Sequence, residues 1–165
     1  MPQQWERKGQ TLLNVSLLEY DPSRRIRIIE YLRGNTGFFQ LVRPGIAYSM
    51  EHLEIAYERA ERAMENNLGV RDPGILFLMF LTGESQASSA IACGGLRDTD
   101  SRALAIYTEI QELEKFLGSF PEFSLSRSTG LPAVDPGKDS LIFPRMNSVD
   151  LKLYAKSSRA KRNIS

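Results

Sequence analysis

The amino-acid sequence predicts one α/β domain of the α+β kind, in which a small, mostly antiparallel or mixed central sheet packs with several helices. Short segments whose apolar residues alternate with polar ones are typical of half-buried strands. Longer segments with apolar residues three and four positions apart are typical of amphipathic helices. The chain has 165 residues, of which 42% are hydrophobic and 25% charged, a composition that fits a single globular domain over residues 1–165.

Two strands are predicted in the first third of the chain. Leu13, Val15 and Leu17 alternate with polar residues, which predicts a strand near residues 12–19 with one buried face. A second strand is predicted at residues 37–42, where aromatic and aliphatic residues precede a proline-glycine turn.

The segment between these strands has two interpretations. Asp21-Pro22 is a typical helix start, and Ile26 and Ile29 lie at helical spacing, which favours a helix. Ile26 and Ile28 also alternate with arginines, as in a strand. The periodicity leaves both interpretations open.

The strongest helical pattern in the chain covers residues 50–66. Ser49 is a suitable N-cap residue for it. Glu54 and Glu58 are expected on its polar side. The apolar stripe of this helix consists of Leu53, Ala56, Tyr57, Ala60, Ala63 and Met64.

Two further helices are predicted between residues 72 and 92. Asp72-Pro73 starts the first, and its segment 75–81 is apolar on every side, so it is expected at the centre of the core or under a partner. Gly83 ends it, and a helix over residues 85–92 follows. The narrow face of this second helix consists of Ala87, Ala90 and Ile91.

The last third of the chain is predicted to contain two strands and two helices. Residues 103–107 are a short apolar run, typical of a buried strand, and a helix over residues 110–118 follows. Residues 124–140 are rich in Ser, Gly, Pro and Asp and are predicted to form an irregular loop. A brief strand at residues 141–143 and a helix at residues 149–158 complete the elements.

Composition excludes several classes of protein. The longest apolar run has seven residues, far fewer than the roughly 20 that cross a bilayer, so we expect no membrane association. The N-terminal residues are polar where a secretory signal has an apolar stretch, so we expect a cytoplasmic protein. With one cysteine and one histidine, the chain offers no zinc-binding cluster, and no cofactor is expected.

No catalytic motif stands out. Gly137-Lys138-Asp139-Ser140 differs from a phosphate-binding loop, because Pro132 stands where that motif has its first glycine and Asp139 where it has Ser or Thr after the lysine. Asp135-Pro136-Gly137 is better interpreted as a turn. His52 is interpreted as a surface or helix-cap residue, and Cys93 as a small buried apolar residue. We therefore expect a protein that is not an enzyme and that acts by binding partners.

Positive charge is concentrated at the C-terminus. Residues 152–165 contain five basic residues and no acidic one, and residues 157–165 are predicted to form a basic polar tail. On a helix, Lys152, Lys156 and Arg159 share a face, whereas Leu151, Tyr154 and Ala155 are expected to turn towards protein. These cations fit either a solvated helix end or a phosphate-binding surface.

One stretch of the sequence resembles a known family. The segments Ser49-Met50-Glu51-His52-Leu53-Glu54-Ile55-Ala56 and Phe77-Leu78-Met79-Phe80-Leu81-Thr82-Gly83-Glu84-Ser85-Gln86-Ala87, with Ala90-Ile91 and Gly95-Leu96, resemble the small kinase-binding subunit of the KEOPS complex, the family of the PRPK-binding protein. The resemblance covers roughly residues 38–118. Ser85 stands where that family usually has arginine, and Ala87 where it has isoleucine.

The resemblance implies an accessory subunit that catalyses nothing itself. Such a subunit binds the small atypical kinase of the KEOPS complex, and through it the rest of the complex, and supports threonylcarbamoyladenosine modification of tRNA. Some members of the family also bind tRNA, which agrees with the basic C-terminal edge.

These implications give two sets of candidate residues. The kinase-binding candidates are Met79, Ala87, Ala90, Ile91, Leu153 and Tyr154. The tRNA-binding candidates are Ser85, Gln86, Lys152, Lys156 and Arg159.

Two alternatives remain open at the level of the sequence. One is a stand-alone enzyme that binds a small ligand or nucleotide in the 124–140 loop, where Asp135, Lys138 and Asp139 are the titratable groups. The other is a generic RNA-binding domain, although the usual exposed aromatic motif of sheet platforms is not seen.

Overall fold

The computed structural model describes residues 3–5, 13–21, 38–97, 99–126 and 136–164, with backbone alone at residues 3–5, 136–141 and 160–164. The segment 22–33, with its two interpretations, lies outside these residues. Contacts divide the chain into two compact units, one formed by Met1–Gly45 with Gly95–Pro132 and the other by Ile46–Gly94 with Ala133–Ser165. That residues 1–165 fold as one domain stays a prediction.

Unit 1 contains an antiparallel sheet. Its strands are β1 (Gln3–Trp5), β2 (Leu13–Glu19), β3 (Phe39–Val42), β4 (Arg102–Tyr107) and β5 (Ser124–Leu125). They lie in the order β1-β2-β4-β3, and β5 also pairs with β2. Every pair is antiparallel, with Val15 opposite Ile106 and Leu41 opposite Ala105. The predicted strands at residues 12–19, 37–42 and 103–107 are confirmed.

Helix α4 (Ile110–Ser119) and the segment after it pack against one face of this sheet. Phe116 is the centre of an aromatic cluster, since its ring lies 4.8 Å from Phe39 and 4.9 Å from both Phe120 and Phe123. Tyr20 stacks on Phe123 at 4.5 Å. Burial of such large side chains is the main source of stability for a small sheet.

A buried polar pair interrupts this apolar face. The hydroxyl groups of Ser16 and Tyr107 are 2.9 Å apart across β2 and β4. Burial raises the pKa of the Tyr107 phenol above its ordinary value of 10.0, and the hydrogen bond with Ser16 offsets part of that rise. The native state therefore favours the protonated phenol.

Tyr107→Phe is expected to lower the free energy of unfolding by about 1 kcal/mol near neutral pH, because the Ser16 hydroxyl loses its buried partner. The raised pKa adds a pH dependence. The contribution of the protonated phenol is complete below about pH 10, where the unfolded phenol titrates, and is lost as the pH rises through the folded value.

Urea denaturation at neutral pH and above pH 10 measures both effects. The difference between wild type and Tyr107→Phe should shrink at the higher pH, because the Tyr107 phenol then loses its proton. A difference for Tyr107→Phe that is equal at both pH values would contradict the burial of a protonated phenol.

A short 3-10 turn (Pro44–Ile46) ends the first segment of unit 1, and helix α1 (Met50–Glu65) is the first helix of unit 2. Ser49 caps α1, since its side chain accepts a hydrogen bond from the amide of His52. The stripe of α1 is buried as predicted, except that Met64 is exposed. Glu54, expected on the polar side, is buried as well, because the buried face extends to both sides of Leu53.

Helices α2 (Pro73–Thr82) and α3 (Ala87–Gly94) follow in unit 2. The Asp72 side chain accepts hydrogen bonds from the amides of Gly74 and Ile75, which caps α2. Residues 76–82 are buried, so the prediction of a core helix is confirmed.

The last helix, α5 (Pro136–Ile164), corrects the predictions for the end of the chain. Residues 136–140 are helical where a loop was predicted, so Pro136 and Gly137 begin a helix and do not form a turn. The predicted strand at residues 141–143 is wrong, because the helix runs through it and through Pro144. Helix also continues to Ile164 in the predicted tail. Residues 124–125 of the predicted loop form β5 instead, because they pair with β2. Residues 127–135 of the predicted loop lie outside the described residues.

The predicted fold class is confirmed, because the chain combines an antiparallel sheet with several helices, as in a small α+β protein.

Candidate nucleic-acid interface

The turn between α2 and α3 is built by a left-handed glycine. Gly83 has φ 75° and ψ 17°, and its amide donates to the carbonyl of Met79 at 2.9 Å. The amide of Glu84 donates to the same carbonyl at 3.1 Å and lies 3.3 Å from the Thr82 hydroxyl. These bonds satisfy the last groups of α2 and place Ser85 at the start of the next segment.

Gly83 also lets α5 approach the turn closely. A Cβ atom at Gly83 would lie 2.6 Å from the Cβ of Arg145, a distance that real side chains do not adopt. Arg145 therefore lies directly beside the turn. The absence of a side chain at Gly83 is a requirement of this packing as well as of the backbone angle.

Helix α5 has a buried side and a basic side. Its buried residues lie at successive spacings of four, three and four, which define one face; they are Ile142, Met146, Val149 and Leu153. Next to this face lie four exposed basic residues at spacings of seven, four and three, within an arc of about 60° on a helix of 3.6 residues per turn. These residues, which we call the basic flank, are Arg145, Lys152, Lys156 and Arg159.

The basic flank meets the α2–α3 turn at Ser85. The ammonium group of Lys152 donates to the Ser85 hydroxyl at 3.4 Å, a long hydrogen bond between residues 67 positions apart. Ser85 is half-buried and Gln86 exposed. Two of the predicted tRNA-binding residues are thus in contact.

The other predicted tRNA-binding residues follow along α5. Lys156 and Arg159 are exposed and continue the flank away from Ser85. Arg145 was not predicted, because the strand assigned to residues 141–143 placed it outside any helix. The signal was present in the sequence, since Arg145 precedes Lys152 by seven residues, which is two helical turns.

An ion pair occupies the other side of α5. The guanidinium of Arg59 in α1 lies 3.0 Å from the carboxylate of Asp150. Asp150 is the acidic residue of α5 nearest in sequence to Lys152. Its charge is matched by Arg59, and its position on the helix is well separated from the basic flank.

The predicted kinase-binding residues are not one surface. Met79, Ala90 and Leu153 are buried, with exposed fractions of 1%, 0% and 4%. Ala87 is half-buried, whereas Ile91 and Tyr154 are 42% and 38% exposed. The exposed apolar part of the set is therefore limited to Ile91 and Tyr154.

The orientation predicted for α5 needs a related correction. Leu151, Tyr154 and Ala155 were expected to turn towards protein, but all three are exposed. Leu153 is buried in their place, because it continues the spacing of Val149 on the buried face.

His52 is buried, so its interpretation as a surface residue is wrong, although it does lie in the cap region of α1. Its Nδ1 accepts a hydrogen bond from the amide of Tyr48 at 3.2 Å, and its Nε2 donates to the carbonyl of Leu81 at 2.9 Å. These partners require the neutral Nε2–H tautomer. His52 thus holds the last turn of α2 to the start of α1.

Cys93 is half-buried, not buried as predicted. Within the described part of the chain, no group of three or more His, Cys, Asp or Glu side chains could hold a metal ion.

Among the described residues, no single helix is long and apolar enough to span a bilayer. The one combination that meets the criteria of length and composition is the pair α2 and α3, which is bent by 72°. Most of α2 in that pair is buried in the protein.

No protein-family model matches the chain, and no curated protein is significantly similar to it.

Proposed function

We propose that the protein is a non-catalytic accessory subunit that binds the small atypical kinase of the KEOPS complex and tRNA, and so supports threonylcarbamoyladenosine modification of tRNA. The resemblance of residues 38–118 to the kinase-binding subunit suggests the complex. The basic flank supports the tRNA half of the proposal independently of that resemblance.

The contact between Lys152 and Ser85 is the observation that carries the proposal. It joins the C-terminal basic residues to the turn that resembles the family, so that two predictions made on separate grounds meet at one place. From Arg145 to Arg159 the flank extends about 21 Å along α5, at 1.5 Å per residue. Basic residues spaced over such a length suit a chain of phosphates, whose neutralisation supplies most of the non-specific affinity for nucleic acid.

Most of the basic flank has no ion-pair partner among the described side chains. Arg145, Lys156 and Arg159 form no ion pair with another described side chain. Exposed cations of this kind contribute little to folding, which suits a role in binding an anionic partner.

The kinase half of the proposal relies on exposed apolar side chains. Ile91 and Tyr154 are the predicted kinase-binding residues with the greatest exposure. Large apolar side chains in the centre of an interface commonly supply much of its binding energy, and aromatic ones are enriched there.

Ile91→Arg combined with Tyr154→Ala is therefore expected to weaken co-purification with the kinase at least tenfold, because a charge replaces one apolar contact and a cavity the other. Both sites are exposed, so the variant should keep the stability of wild type. Ile110→Arg serves as the matched control, since Ile110 is an exposed apolar residue of unit 1 with 37% exposure.

Co-purification of the kinase with each purified variant measures the effect. Equal recovery of the kinase with wild type and with the folded double variant would contradict this assignment of the kinase surface. Loss of the kinase with Ile110→Arg alone would move that surface to unit 1.

A further inference from the structure

The α2–α3 turn has no basic residue of its own. It consists of Gly83, Glu84, Ser85 and Gln86. The Glu84 carboxylate is the one charged group among these residues, and by itself it would repel an anion.

Positive charge reaches this turn from α5. Lys152 is in hydrogen-bond contact with the Ser85 hydroxyl, and the stem of Arg145 lies against Gly83. The two cations outnumber the single carboxylate of Glu84. An anion at Ser85 could therefore accept from the serine hydroxyl and from the lysine ammonium, the charge-assisted bond being the stronger.

We infer that the turn and α5 form one anion-binding centre at the Ser85 hydroxyl, with Lys152 and Arg145 as its cationic groups and Gly83 as the residue that positions α5. This inference rests on the proposed function for the identity of the anion, which is a phosphate of the bound RNA. It adds Arg145 to the binding residues. It also implies that the end of the basic flank near Ser85 contributes more to RNA affinity than the end at Arg159.

The two ends of the basic flank should contribute unequally to binding, because they lie at different distances from Ser85. Arg159 lies seven residues beyond Lys152, about 10 Å along the helix. The Debye length in physiological salt is about 8 Å, so the charge of Arg159 is largely screened at Ser85. Substitutions at Lys152 or Arg145 should therefore weaken binding more than the same substitution at Arg159.

The inference is tested by moving the positive charge from residue 152 to residue 85, on the other side of the Lys152–Ser85 contact. Lys152→Ser is expected to lower tRNA affinity about tenfold and to reduce the slope of log affinity against log salt by about one. Ser85→Arg added to Lys152→Ser returns a cation to the same place from the other side of the contact. Affinity should then recover to within about threefold of wild type.

Asn147→Arg combined with Lys152→Ser is the matched control. It restores the same net charge on α5, but on the side of the helix away from the flank, where residue 147 is exposed. This variant should stay about tenfold weaker than wild type. Equal rescue by Ser85→Arg and Asn147→Arg, or an equal loss for Lys152→Ser and Arg159→Ser, would overturn the inference while leaving tRNA binding itself intact.

A titration with pyrophosphate tests the anion-binding centre separately from the proposed binding of tRNA. In an NMR titration of the 165-residue chain, pyrophosphate should shift the amide signals of Glu84, Ser85 and Gln86 most strongly, and Lys152→Ser should abolish these shifts. If wild type binds no tRNA, the proposed function fails, but localised pyrophosphate shifts would still support the anion centre. Shifts that are absent, or that spread evenly along α5, would overturn it.

Discussion

Gly83→Ala is expected to lower the free energy of unfolding by about 2–5 kcal/mol. A left-handed backbone costs a residue with a Cβ about 1–2 kcal/mol, and Gly83 has φ 75°. The new methyl group would also lie 2.6 Å from the Cβ of Arg145, and overpacking of this kind costs about 1–3 kcal/mol. Urea denaturation followed by circular dichroism measures the sum.

Two other glycines separate the two contributions. Gly69 has φ 94° and nothing within 4 Å of an added Cβ, so Gly69→Ala should show the backbone cost alone. At Gly94, which has no positive φ, an added Cβ would lie 2.8 Å from the Thr82 methyl and 3.1 Å from a Leu78 methyl, so Gly94→Ala should show the steric cost alone. A loss for Gly83→Ala no larger than that for Gly69→Ala would contradict the close approach of α5.

Local signals in the sequence predicted the helices of unit 2 that lie before the α2–α3 turn. Ser49, Asp72-Pro73 and Gly83 are strong start and stop residues, because each satisfies backbone groups at a helix end with its own side chain or conformation. The structure has α1 and α2 bounded by these residues.

The start of α5 could not be predicted in the same way. Pro136, Gly137 and Pro144 have poor helix propensity, and Pro144 lacks an amide for the helical hydrogen-bond ladder. The helix nevertheless runs through them, and Ile142 and Met146 are buried on it. Here burial of apolar side chains outweighs local helix propensity. A short sequence window shows the propensity but not the burial.

The candidate site was predicted in its parts but not in its arrangement. Ser85 and Lys152 came from separate arguments, and their contact joins segments 67 residues apart, which no local pattern encodes. Arg145 was missed because the last helix was predicted to begin only at residue 149, whereas it begins at Pro136. The predicted kinase-binding residues do not form one surface, because neighbouring residues of a helix point to different faces. Leu153 is buried, whereas Tyr154 beside it is exposed.

Reversal of charge along the basic flank should produce the largest functional effect. Lys152→Glu, Lys156→Glu and Arg159→Glu together replace three attractive contacts with three repulsive ones, so we expect tRNA affinity to fall by about 100-fold or more at moderate salt. The three side chains are exposed, so the variant should unfold at a urea concentration close to that of wild type. The matched control reverses three other exposed basic residues, with the same change of net charge, at Arg62, Arg71 and Arg97.

The affinity for tRNA of wild type, the flank variant and the control variant, measured across a series of salt concentrations, tests whether the basic flank binds RNA. We predict that wild-type affinity falls steeply with salt, that the control keeps most of it, and that the flank variant loses both the affinity and a slope of about two to three. A folded flank variant that binds tRNA as tightly as wild type, with the same dependence on salt, would show that the basic flank does not bind tRNA.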